Sequence, residues 1–309
     1  MDGEQLDKTL KAQSEQLDRT LADQRTRTLN ERFDTVAEHL DSDKSPAVRV
    51  AGVYAMAGLA DDWPEHRQMC VEVLCAYLRM PYEPEPGDDA PVEKRLAFQA
   101  GREVRHTVIR VIAAHLNGTA PVSWCGLNFD FAGAVFDGGD FSGAKFPGGT
   151  VNFAGAKISG GAVGFGYTKF SGGIINFTGA KFSGAAVHFF GSTFSGESPQ
   201  LTGAESSGDS VFFHAVEFSG GTVSFSRAEF AGEMVDFAGA EFSGGTVDFA
   251  DAEFSGGPVS FAAAGFSGGT VAFARAASWT QPPDFGSGID MSHLPAGVIL
   301  PADTSPFTR

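Results

Sequence analysis

Two cysteines five residues apart, Cys70 and Cys75, are the first residues in the chain whose types and spacing could do chemistry. With Glu72 between them they could form a nucleophile or a ligand pair. The same spacing fits packing inside an amphipathic helix, and we prefer this interpretation. His106 and His115 lie nine residues apart and do not make the i, i+4 pair of a helical zinc site. We therefore expect no catalytic residue, no metal, no cofactor and no enzymatic activity.

A graded series of charges accompanies a recurring phenylalanine between residues 131 and 273. Stacked like charges about 4.8 Å apart repel, so a binding partner could compensate them. The alternative is a solvated series left by repeat duplication. We call its five glutamates the acidic ladder: Glu205, Glu217, Glu229, Glu241 and Glu253. The earlier members of the series are Lys145, Lys157, Lys169, Lys181 and Thr193.

A second surface feature arises if 24 residues make one turn of the repeat. Two outward aromatic–histidine pairs then meet on successive turns: His188 and Phe190, followed by Phe212 and His214. The repeat is least regular beside them, at Glu197-Ser198, Pro199 and Ser206. An exposed apolar cluster of this kind is typical of an interaction site, although a self-stabilising aromatic ladder is the alternative.

The element that must position these residues is the repeat itself. From Phe213 the phenylalanines alternate in spacing between five and seven residues, which gives a period of twelve. A valine or alanine lies two residues before each ring, so both side chains share the inward side of an extended strand. A fixed period with one short strand per step predicts a solenoid in which each coil packs on its neighbours.

Units such as Ala134-Val135-Phe136-Asp137-Gly138 and Ala144-Lys145-Phe146-Pro147-Gly148 resemble the pentapeptide-repeat family. The resemblance implies a right-handed quadrilateral β-helix with four five-residue faces per coil. This chain departs from the family after Phe146, because two extra residues follow every second unit, as at Gly220-Gly221-Thr222. Four faces then use 24 residues. A two-faced coil of twelve is the rival, but it leaves no room for two inward rings at native packing density.

The residues before the repeat predict helices. Residues 1–42 form a long amphipathic helix or coiled-coil arm whose segments from Glu4 and Glu15 repeat with an offset of eleven; a partly disordered arm is the alternative. Residues 43–120 form a helical block. Ser45-Pro46 caps its first helix, Asp62-Trp63-Pro64-Glu65 starts its second, and the third covers about Val92–Asn117. This block resembles a HEAT-type repeat and the N-terminal half of some bacterial pentapeptide-repeat proteins.

We thus predict an α+β chain in which helices precede a β-solenoid at 121–276, followed by a C-terminal cap and tail at 277–309. Net charge is −16, with 15 basic against 21 acidic residues up to position 120 and 7 against 17 beyond it. An acidic solenoid is not expected to bind nucleic acid directly. Three cysteines without a C-x-x-C motif, no signal-peptide pattern and no apolar run long enough to cross a bilayer favour a cytoplasmic protein.

The leading functional hypothesis is a non-enzymatic interaction or scaffold protein that presents an acidic solenoid surface to a macromolecular partner. Self-association through the N-terminal helix or a solenoid face is also expected. The family resemblance implies an alternative, a DNA mimic that binds a type II topoisomerase such as gyrase and modulates or protects it. The mimic needs an extended acidic surface, which the acidic ladder offers only in the later coils.

Overall fold

A computed structural model describes residues 3–83, 85–183, 186–196, 199–207, 210–273, 278–279, 283–286 and 294–300. The chain divides into two compact units, Met1–Val71 and Glu72–Arg309. The predicted order of helices followed by a parallel β-solenoid is confirmed. Within the described residues, no helix is both long and apolar enough to cross a membrane.

The first unit contains helices α1 (Gly3–His39) and α2 (Pro46–Asp62), a short 3-10 helix (Pro64–His66) and the beginning of α3 (Arg67–Arg79). The predicted cap is confirmed, because the Ser45 side chain accepts a hydrogen bond from the Val48 N–H. The predicted start of the next helix is wrong by several residues. Trp63 ends α2 by donating its backbone N–H to Leu59, and Pro64 belongs to the 3-10 turn.

Helix α1 has two different faces along its length. Near its C-terminal end, buried Leu29, Val36 and Leu40 lie on the part of the helix that packs against α2. Leu10, Leu17 and Leu21 carry the eleven-residue repeat and are exposed. The prediction of a single long helix is confirmed over Gly3–His39, whereas its association remains a prediction.

The second unit begins with the rest of α3 and continues through α4 (Val92–Asn117), which ends at Gly118 in the left-handed conformation. The predicted bounds of α4 are confirmed. Leu96, which the apolar pattern places on the packed face, is exposed.

Three parallel sheets form the solenoid. The first contains β1 (Phe129–Asp130), β4 (Lys145–Asn152), β7 (Lys169–Asn176), β10 (Thr193–Phe194), β13 (Glu217–Ser224), β16 (Glu241–Asp248), β19 (Gly265–Phe266), β20 (Thr270–Ala272) and β22 (Val298–Ile299). The second contains β2 (Val135–Phe136), β5 (Lys157–Ser159), β8 (Lys181–Ser183), β11 (Glu205–Ser206), β14 (Glu229–Phe230), β17 (Glu253–Phe254) and β21 (Ser278–Trp279). The third contains β3 (Gly139–Asp140), β6 (Val163–Gly164), β9 (Val187–His188), β12 (Val211–Phe212), β15 (Val235–Asp236) and β18 (Val259–Ser260).

The register of these sheets establishes a turn of 24 residues. Val187 pairs with Val211, and Val211 pairs with Val235. Each regular turn has four segments, centred on Phe218, Phe225, Phe230 and Phe237 in one example. We call them the first to fourth segments. The first and second share the first sheet, the third forms the second sheet and the fourth forms the third sheet.

The core is a set of phenylalanine stacks. Phe213 lies 4.8 Å from Phe237, and Phe237 lies 4.9 Å from Phe261, between ring centroids, with nearly parallel planes. Rings from adjacent segments meet edge to face, as Phe225 and Phe237 do at 89°. Offset and edge-to-face contacts are the favoured arrangements of aromatic rings, so the inward phenylalanines pack in their preferred geometry.

Candidate functional site: outward aromatic rings and charge columns

The predicted aromatic–histidine patch, His188, Phe190, Phe212 and His214, comes together on the fourth segment. Strands β9 and β12 pair in register, which places His188 directly beside Phe212, with ring centroids 4.9 Å apart and planes 2° from parallel. Phe190 stacks on His214 at 5.7 Å and 10°. The two pairs alternate in order, so each phenylalanine packs against a histidine of the next turn.

Tyr167 extends the patch by one turn and was missed by sequence reasoning. Its ring meets Phe190 edge to face at 5.2 Å, and its side chain is 63% exposed. Tyr167 adopts a positive φ of 54°, which is uncommon for a residue with a side chain. A Cβ added at Gly191 would lie 2.8 Å from this ring, so glycine is needed there for the ring to lie flat on the turn.

Asp236 forms the other border of the patch. It follows Phe212 in register on the third sheet, and one of its oxygens lies 3.8 Å from Nδ1 of His214. The other oxygen accepts a hydrogen bond from the Ala238 N–H at the corner of the turn. The patch therefore pairs exposed rings with a carboxylate that is held in place by the backbone.

The graded series of charges divides into two columns on two segments. The first-segment column contains Lys145, Lys169, Thr193, Glu217 and Glu241, paired in register along the first sheet. The third-segment column contains Lys157, Lys181, Glu205, Glu229 and Glu253, paired along the second sheet. Both run from basic to acidic along the solenoid, and the acidic ladder is shared between them.

The two columns differ where the sign of the charge changes. In the third-segment column, Nζ of Lys181 lies 2.7 Å from a carboxylate oxygen of Glu205. In the first-segment column, uncharged Thr193 separates Lys169 from Glu217. The like-charged neighbours Glu205–Glu229, Glu229–Glu253 and Glu217–Glu241 lie side by side in register.

The turn that carries Phe212 and His214 outside has an interrupted core. Leu201 takes the inward place of phenylalanine in the second segment, and Ser206 does so in the third. The Ser206 hydroxyl is buried without a hydrogen-bond partner. Pro199 is buried in this turn, whereas Glu197 and Ser198 lie outside the described residues.

A second polar cluster joins α4 to the first turn, at Asp137. Its Oδ1 lies 3.0 Å from Nε2 of His106, and its Oδ2 accepts a 2.6 Å hydrogen bond from the Tyr82 hydroxyl. Arg102 pairs with the same carboxylate and donates to the Asp137 carbonyl. Arg105 lies over the Tyr82 ring and donates to the Leu78 and Val135 carbonyls.

The Asp137 cluster is saturated by its own contacts. Burial alone would raise the pKa of Asp137, but hydrogen bonds from His106 and Tyr82 outweigh it and lower the pKa. Burial, together with the hydrogen bond to Asp137, raises the pKa of Tyr82. Burial lowers the pKa of Arg105. The arrangement is that of a structural link between α4 and the solenoid rather than a reactive group.

The cysteines lie where core packing places them. Cys70 and Cys75 are buried, and burial raises their pKa to about 11 and about 12, so neither is a thiolate at neutral pH. His115 stacks on buried Trp124 at 3.8 Å. Over the part of the chain that is described, no group of three or more histidine, cysteine or acidic residues could hold a metal ion.

Comparisons of the chain with models of known protein families, with curated proteins and with solved structures find no match.

Proposed function

We propose that the chain is a non-enzymatic interaction protein whose solenoid presents the aromatic–histidine patch and the acidic ladder to another macromolecule. The observation that carries the proposal is the outward stack of rings on a rigid sheet. Phe190 is 40% exposed and Tyr167 is more exposed still. Interfaces concentrate binding energy in aromatic anchors of this kind, surrounded by polar groups.

The acidic ladder supports a basic partner surface. The in-register pairs Glu205–Glu229 and Glu229–Glu253 hold like charges about 4.8 Å apart, which costs the free protein electrostatic energy. A basic surface that approaches this column reduces the repulsion and gains attraction. The patch provides apolar area, and the ladder provides attraction at longer range.

The test is capture of partners from extracts of the producing cell by the full chain and by two variants. Phe190→Ser with Phe212→Ser removes the rings, and Glu229→Lys with Glu253→Lys reverses two ladder charges. We expect both to lose the same partner, the second also changing the salt dependence of binding as the Debye length falls below about 10 Å. An affinity independent of ionic strength removes the ladder from the proposal.

A second candidate is a DNA mimic that binds a type II topoisomerase, as the resemblance of the five-residue units to pentapeptide-repeat proteins implies. It is favoured by carboxylates on the first and third segments of the same turns, Glu217 with Glu229 and Glu241 with Glu253. The lysines of the earlier turns oppose it, because they interrupt the acidic surface. A gyrase supercoiling assay decides: no effect at micromolar protein excludes the mimic.

A further inference from the structure

We infer that the first-segment column is a self-complementary surface on which a second copy of this chain packs side by side, with the two solenoid axes antiparallel. The inference is independent of the proposed function, because it uses a different segment from the aromatic–histidine patch. It rests on the order of charges along one column, on the flatness of that surface and on the contrast with the third segment.

The column reads as two positive residues, one neutral residue and two negative residues, with one member on each turn. Thr193 is the centre, Lys169 and Glu217 flank it, and Lys145 and Glu241 lie one turn further out. A two-fold axis through Thr193, perpendicular to the sheet, places each lysine of one copy opposite a glutamate of the other. Interfaces with two-fold symmetry require this kind of self-complementarity.

The charges of this column are unspent within the chain. Lys145, Lys169, Glu217 and Glu241 are exposed, and among the described residues none of the four forms an ion pair. Their nearest charged neighbours along the column carry the same sign: Lys145 lies beside Lys169 and Glu217 beside Glu241. An antiparallel partner replaces this repulsion with attraction on every charged turn.

The rest of the first segment leaves room for a close approach. The outward residue after each inward ring is Pro147, Ser171, Ser195, Ser219 or Ser243 on successive turns. These side chains are small and uncharged, so the column stands beside a flat strip. Two such surfaces can meet over five turns, a length of about 20 Å at about 4.8 Å per turn.

The third segment carries similar charges but is less suited to the same packing. Its central pair, Lys181 and Glu205, already forms an ion pair within the chain. At the first turn, Tyr82 and Arg102 bind the Asp137 side chain on the outward side of this segment. These residues obstruct a flat antiparallel approach, so the two columns are not equivalent as surfaces.

The test is sedimentation velocity of the full chain at low ionic strength, with two oppositely charged variants. Lys145→Glu with Lys169→Glu makes the column acidic throughout, and Glu217→Lys with Glu241→Lys makes it basic throughout. We expect the wild type to form a salt-sensitive dimer and each variant alone to dimerise at least about tenfold more weakly. An equimolar mixture of the two variants should form heterodimers, because opposite columns then face each other.

The matched control is Lys157→Glu with Lys181→Glu, which makes the same change of net charge on the third segment. It should leave dimerisation within about twofold of the wild type. A wild type that stays monomeric at low salt overturns the inference. So does equal weakening by the control, or a mixture of the two variants that remains monomeric. Dimerisation unchanged in both first-segment variants would assign association to another surface, such as α1, and would equally overturn it.

Discussion

A regular turn and the interrupted turn before it use the same backbone for different purposes. The turn with Phe218, Phe225, Phe230 and Phe237 fills all four inward positions with rings. The preceding turn keeps Phe194 and Phe213 but has Leu201 and Ser206 inside, while Phe212 and His214 lie outside. Local departures from the rules of packing are expected where a surface is selected for binding. The comparison therefore directs attention to the outward side of the interrupted turn.

The largest effect should come from the regular turn. Replacing Phe237 by alanine removes a ring that stacks on Phe213 and Phe261 and contacts Phe225 edge to face. We expect a loss of about 3–5 kcal/mol in the free energy of unfolding, measured by chemical denaturation. Ser243→Ala, outward on the next turn, should change it by less than about 0.5 kcal/mol. Equal effects at the two positions would contradict the inward register.

The Asp137 cluster should show the next largest effect, because it links α4 to the first turn. Replacing Asp137 by asparagine leaves Arg102 without its charged partner, so we expect a loss of about 2–3 kcal/mol at pH 7. The folded-state pKa of Asp137 is lowered, so its stabilisation is full above the unfolded value of about 3.9 and is lost as the pH falls through the folded value.

Unfolding measured at several pH values tests this sign. The difference between the wild type and Asp137→Asn should be constant near neutral pH and shrink below about pH 4. A difference that grows on acidification would show that the carboxylate is not the stabilised form.

The interrupted turn should gain stability from a smaller change. Ser206→Ala removes a buried hydroxyl that has no hydrogen-bond partner. We expect a gain of about 1 kcal/mol in the free energy of unfolding, because an unsatisfied buried polar group is costly. Ser243→Ala is the exposed control. A loss at Ser206 of similar size would indicate that the hydroxyl is bonded in the folded protein.

The fold was largely predictable from the sequence because it is periodic. The spacing of the phenylalanines predicted the 24-residue turn, and that turn brought Phe190 and Phe212 onto one segment. The bounds of α4 followed from its apolar spacing, and the Ser45 cap followed from the proline after it.

What was missed depends on contacts that carry no periodic signal. Tyr82, Arg102 and His106 reach Asp137 from distant points of the chain, so no local pattern predicts the cluster. Tyr167 joins the patch through an unusual backbone angle at a corner. The start of α3 was misplaced because proline favours the first turn of α-helices and 3-10 helices alike, and Pro64 lies in the latter.

The smallest effect on folding should accompany the largest effect on binding. Phe190 and Phe212 point outward, so replacing both by serine should lower the free energy of unfolding by less than about 1 kcal/mol. The same variant should lose the captured partner, because it removes both phenylalanines of the patch. Ser171→Ala with Ser219→Ala, on the first segment, is the control that should bind as the wild type does.

Measuring unfolding and partner binding on the same samples of this variant tests the central claim most directly. The account predicts a nearly unchanged melt together with a dissociation constant at least about a hundredfold weaker, the loss expected of a binding hot spot. Unchanged binding would contradict the claim that the patch is the interaction site. A large loss of stability would instead assign these rings to a self-stabilising aromatic ladder.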